Sequence, residues 1–268
     1  MRWYCSSMLL RGRGVAAAVD VAAAAGFDGV EAWVDQAVAH EEDPADLART
    51  AQLAGVGLTT HASSYDINLS ATNPGIRAES QRQVLASVRF AADAGSSLVV
   101  VHPGRRSSSR DDPEEVWPHV LASLEPVDDL AAELGITLAV ELMERRPKEV
   151  VMAPADGERV MAHGFRATAL TVDIAHLYTL GDPVAGIRRV DWDHVAHIHL
   201  SDSDAATVHL PLAKGAMDLP AVHRELLATG YDDIVNIEGY APGMGAELIE
   251  NNFAVISRLE SLERSEGG

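Results

Sequence analysis

Eight side chains of metal-ligating type recur at one kind of place in this chain. His61, His102, Glu141, Asp173, His199 and Glu238 each close a short run rich in apolar residues, and His176 and His209 follow soon after two of those ends. The stretch Thr171-Val172-Asp173-Ile174-Ala175-His176 shows the pattern. A carboxylate at the mouth of a buried strand costs free energy unless a cation or a hydrogen-bond donor compensates it. Taken singly, Asp173 reads as a helix cap or turn residue and each histidine as a hydrogen-bonded core residue. Taken together, imidazoles with carboxylates suit a divalent ion such as Mn²⁺, Co²⁺, Mg²⁺ or Zn²⁺. Such a site would serve proton transfer beside a polarised carbonyl, or attack on a phosphoester.

Something must bring these ends to one place. The sequence predicts eight strands: Trp3 to Leu10, Gly29 to Val34, Leu58 to His61, Leu98 to His102, Thr137 to Glu141, Ala169 to Val172, Val195 to Leu200, and Asp233 to Glu238. Glu31 is taken as the ligand-type end of the second. Helical stretches alternate with them, including Val15–Ala25, Pro44–Ala54, Pro113–Leu134 and Leu219–Ala228, with glycines as stops. Eight right-handed βα units predict a single α/β domain over residues 1–268, a (β/α)8 TIM barrel. A doubly wound sheet is disfavoured, because Gly12 and Gly14 lack the third glycine of a dinucleotide cradle. In a barrel the C-terminal strand ends share one mouth, where active sites sit. His197, two residues before His199, shares its side of the strand and should lie one layer deeper in a hydrogen-bonded role. His40, His119, His163, His194 and His223 read as surface residues, and the tail Ser265 to Gly268 as loose.

Composition narrows the partners. The net charge is −19 with 21 basic residues, so a polyanion such as DNA meets an unfavourable average surface. No apolar run approaches a membrane span of about 18 residues. The N-terminus has no signal-peptide pattern, and Cys5 stands alone, so no intrachain disulfide forms and a cytoplasmic setting is expected. The loop Arg105 to Arg110 reads as solvated and flexible, with a phosphate contact as the alternative.

Several stretches resemble the xylose isomerase-like barrel superfamily, which holds sugar isomerases, sugar epimerases and the endonuclease IV group (AP endonuclease family 2). They are Gly26-Phe27-Asp28-Gly29-Val30-Glu31, His61 to Leu69, Val101-His102-Pro103-Gly104, Asp173-Ile174-Ala175-His176, His197 to Asp202 and Ile237-Glu238. The resemblance implies one metal on Glu141, Asp173, His199 and Glu238, with the two glutamates transferring protons, as in the epimerases. It equally implies an endonuclease IV-like zinc cluster that adds His61, His102, His176 and His209. The chain departs from the second pattern at Thr207, where that group has an aspartate, and at Lys214, where an acid is usual. It departs from tagatose-type epimerases at Ala205, where they carry an arginine. Assembly into homo-oligomers is a further implication.

These features lead to a divalent-metal-dependent isomerase or epimerase of a sugar or sugar phosphate. Its catalytic residues would be Glu141, Glu238 and His176, the last orienting a substrate hydroxyl. Glu31, Trp33 and Tyr65 would contact the sugar, and Lys214 would meet an anionic group. For Trp33 the alternative is packing under a helix. A multinuclear zinc phosphoesterase is the second reading. A non-catalytic subunit is third, and the intact ligand set argues against it.

Overall fold

The computed structural model describes residues 1–266. Eight strands pair in parallel and close on themselves: β1 (Arg2–Ser6), β2 (Gly29–Trp33), β3 (Gly57–His61), β4 (Leu98–Val101), β5 (Thr137–Leu142), β6 (Thr168–Asp173), β7 (Val195–Leu200) and β8 (Ile234–Ile237). Consecutive strands are neighbours, and β8 returns to β1. This is the (β/α)8 barrel that the alternating pattern predicts. Short apolar runs such as Leu98-Val99-Val100-Val101 are buried throughout because helices cover the barrel outside and side chains fill it inside.

The helices start where local chemistry dictates. Asp43-Pro44, Asn73-Pro74, Asp112-Pro113 and Asp182-Pro183 each place a side-chain acceptor on the free amides of the first turn, with proline at the first helical position. Tyr4 packs across β2 and β3 at Gly29 and Gly57; a Cβ at those two positions would lie 2.3 Å and 2.0 Å from its ring and hydroxyl. No helix among the described residues is long and apolar enough to cross a membrane.

Four expectations need correction. The first strand stops at Ser6, and Ser7–Leu10 is a 3₁₀ turn. Glu31 does not end β2: it is the middle residue, and Trp33 is the end. His223 is buried, 4% exposed, beneath Trp3 at a ring separation of 6.0 Å. Ser265 and Glu266 close the last helix, Ala246–Glu266, while residues 267–268 of the tail lie outside the described residues. Two short helices, Val34–Ala39 and Ile174–Leu180, were not anticipated. The second begins directly at the end of β6 and fixes the Asp173–His176 pair.

Candidate metal centre

Register decides which side chains meet. Across β6 and β7 a shift between Leu170 and Thr171 sets Asp173 opposite His199, and β8 places Asn236 beside His199. As a result Glu141, Asp173, His199 and Glu238 converge, one ligand atom from each lying within 4.8 Å of the others. His199 Nδ1 is 3.1 Å from Glu141 Oε1 and 3.3 Å from Glu238 Oε2. All are buried or nearly so; the Glu238 side chain is 10% exposed.

Asp173 does two things. Its Oδ1 accepts the His176 amide at 2.8 Å, capping the helix Ile174–Leu180. Its Oδ2 has no hydrogen-bond partner among the described residues, and neither has Glu238 Oε1. Buried carboxylate oxygens are ordinarily paired. These two, with Glu141 Oε2 likewise without a hydrogen bond, belong to one cluster of carboxylates and an imidazole and fit a divalent cation.

Two flanking groups share ligands with this set. His61 Nε2 and His102 Nε2 lie 3.9 Å and 3.0 Å from Glu141 Oε2. His176 Nε2 and His209 Nδ1 each lie 3.8 Å from Asp173 Oδ2. The His176 and His209 Nε2 atoms are 3.1 Å apart, so one of them offers a lone pair to the other's N–H. His209 holds φ +62°, an uncommon conformation for a side-chain-bearing residue. Buried Asp202 sustains it from below. The Asp202 backbone pairs with Leu210, and its carboxylate accepts the amides of Ser203, Gly215 and Met217.

Electrostatics follow from this crowding. Burial works against charge on Glu141, but His199 and close contacts from His102 and His61 hold its carboxyl well below the usual range. Burial pushes Glu238 well above that range; His199 opposes the rise, while Glu31, Glu141 and Asp173 add to it. Burial would lower His199, yet Glu238, Glu31 and Glu141 keep it well above an ordinary imidazole. His176 is raised too, by Asp173, Glu141 and Glu144 against its burial. His209 is lowered by burial.

Above the carboxylates opens a cavity of about 520 Å³, lined by His61, His102, Glu141, His176, His209 and Glu238 with Met8, Arg11, Trp33, Met143, Glu144, Thr207 and Tyr240 among others. Trp33 stacks on His61 at 3.9 Å with planes 9° apart and forms one wall. The other residues assigned to substrate are not brought there. Glu31 is wholly buried beneath His199. Tyr65 is half exposed and borders a smaller depression with Arg11. Lys214 is exposed in its loop and outside the lining. The Arg105–Arg110 loop is stitched down rather than free: Arg106 bonds the carbonyls of Asp111 and Pro147, and Lys148 Nζ that of Ser107. Arg11 and Glu144 line the cavity without having been singled out. Glu144, three residues past Glu141, carried a readable signal; Arg11, in a turn after β1, carried none.

Fold and strand-end constellation together define a barrel whose mouth gathers side chains that could hold a cation. The model of the xylose isomerase-like TIM barrel family matches residues 19–260, and the chain belongs to that family. Fructoselysine 3-epimerase of Shigella flexneri is 25% identical over 226 residues, 80% of this chain and 80% of that protein. Among solved structures, a D-tagatose 3-epimerase-like protein superposes with a TM-score of 0.87 at 17% identity, covering 100% of both chains. The IOLI protein with a bound zinc atom superposes with a TM-score of 0.83 at 18% identity, covering 97% of this chain and 98% of that one.

Proposed function

We propose that this protein is a divalent-metal-dependent sugar epimerase or isomerase. One observation carries the reading: Glu141 from β5 and Glu238, just past the end of β8, both approach His199 Nδ1 at the floor of the cavity, with Asp173 completing the set. Bound by these four, a divalent ion would supply positive charge against the oxygen anion that develops when a proton leaves the carbon beside a carbonyl. Glu141 and Glu238 would hold and move that proton, one removing it and the other returning it to the opposite face. His176 Nε2 and Glu144, 3.6 Å apart, would orient a hydroxyl. The Trp33 ring, part of the cavity wall, would bind the sugar's apolar face. Fructoselysine 3-epimerase as a relative supports this class of substrate, and the zinc in the IOLI protein supports the metal. A reducing compartment suits a chain whose one thiol, Cys5, is buried and unpaired.

A second reading has an observation of its own. The groups His61/His102/Glu141 and Asp173/His176/His209 could hold further ions beside the first, as a multinuclear phosphoesterase requires. Metal content per chain, measured by elemental analysis of protein purified without added metal or chelator, separates the two. About one ion per chain, with ketose epimerisation kept within about threefold in His61→Ala, is the expected result. Two or three zincs per chain, lost together in His61→Ala, with cleavage of phosphoesters and no action on ketoses, would replace the first reading by the second.

A further inference from the structure

Beneath the candidate ligands lies a carboxylate that touches neither the cavity nor solvent. Glu31, in the middle of β2, is 0% exposed. Three N–H groups converge on its two oxygens. Oε2 lies 2.9 Å from His197 Nε2 and 3.2 Å from His199 Nε2, and Oε1 accepts Asn236 Nδ2 at 3.0 Å. A carboxylate so deep is tolerated only when donors meet it, and the three come from β7 and β8, across the barrel.

His199 is held from both ends. Its Nε2 faces Glu31, while its Nδ1 faces Glu141 Oε1 and Glu238 Oε2. Both nitrogens face carboxylate oxygens; with a cation held among Glu141, Asp173 and Glu238, only Nε2 would still meet a bare acceptor, and a ring nitrogen so placed carries the hydrogen. We infer that Glu31 is a positioning residue: it keeps the His199 proton on Nε2, so that the Nδ1 lone pair points at the other ligands, and it strengthens that lone pair through a charge-assisted hydrogen bond. The inference rests on the metal-centred reading above. It assigns Glu31 a task different from sugar contact. It also gives His197 a place. His197 shares the same oxygen, its own Nδ1 has no partner, and it locks the carboxylate in its rotamer.

Glutamine at position 31 isolates the charge. Asn236 Oδ1 has no partner, so a flip of that amide lets it accept from the new side-chain NH₂, and the remaining glutamine oxygen stays with the two histidines. Packing survives and the anion is lost.

The test begins with Co²⁺ titrated into wild-type protein, followed by its visible absorption and by competition with a chelator. Glu31→Gln is then expected to bind Co²⁺ about 10- to 100-fold more weakly, with altered d–d bands and an unchanged far-ultraviolet circular dichroism spectrum. Affinity and bands equal to wild type would overturn the inference while leaving the metal site standing. A wild-type protein that binds no Co²⁺ would overturn both. Nitrogen-15 NMR of zinc-loaded, histidine-labelled wild type needs no variant to fold. A proton on His199 Nε2 with Nδ1 as ligand supports the assignment, and the reverse tautomer overturns it.

Discussion

Glu238→Gln is expected to lower the turnover of a ketose substrate by about 10³-fold, within the range that a positioned proton-transfer group supplies. The side chain is 10% exposed, one oxygen is 3.3 Å from His199 Nδ1 and the other has no partner. Glutamine fills the same volume and keeps a carbonyl oxygen that can still ligate, but it cannot accept the substrate's proton. The loss should therefore fall on kcat and persist at saturating metal. A second readout is direct. Wild type in deuterated water should wash the proton beside the carbonyl out of both epimers, visible by proton NMR, and the variant should lose the wash-out from the epimer whose proton faces Glu238. A variant that turns over within about tenfold of wild type, with exchange intact, would remove Glu238 from the proton path.

Divalent metal is expected to raise the melting temperature by a large margin, and Asp173→Ala to erase that rise. Glu31, Glu141, Asp173 and Glu238 crowd the same core, and a ligand that binds only the folded state stabilises by about 2.7 kcal/mol at one hundred times its Kd. For a chain of this size that corresponds to roughly 5–10 °C. Asp173 belongs to the central group and to the His176/His209 group, so its removal weakens both. The comparison is the metal-induced shift within each variant, by calorimetry with and without chelator. Loss of the Asp173 cap also changes the variant's own baseline, by about 0.5–2 kcal/mol. Wild-type protein whose melting temperature ignores both metal and chelator would contradict the metal centre itself.

The barrel was legible because its strands are short apolar runs with a change of character at the end, and because glycines and Asx-Pro pairs mark the helices. The convergence of His61, His102, Glu141, Asp173, His199 and Glu238 was legible for the same reason, since topology alone brings strand ends together. Depth was not. Val30-Glu31-Ala32-Trp33-Val34 offers no mark of its last strand residue. Pairing of Trp33 with His61 settles it, and so places Glu31 a layer down. His223 had a readable signal that its polarity masked, because Leu219, Val222, His223 and Leu226 form one buried helical face at i, i+3, i+4 and i+7. Tyr65 and Lys214 sit in loops, where no periodicity reports which way a side chain turns. The helix Ile174–Leu180 is too short for its period to stand out, and only the Asp173 cap announces it.

The stacking of Trp33 on His61 gives the molecule a built-in optical gauge. Imidazole lying flat against indole at 3.9 Å is placed to quench its fluorescence, and the quenching depends on what the far ring nitrogen holds. The other three tryptophans, Trp3, Trp117 and Trp192, are not in the cavity lining. Emission changes on adding metal should therefore report occupancy around His61 and His102, while the melting temperature reports all the ions together. A thermal shift with constant emission would mean that the ion leaves the surroundings of His61 undisturbed; a shift in both would mean that its binding reaches His61, a distinction available in a cuvette before any substrate is known.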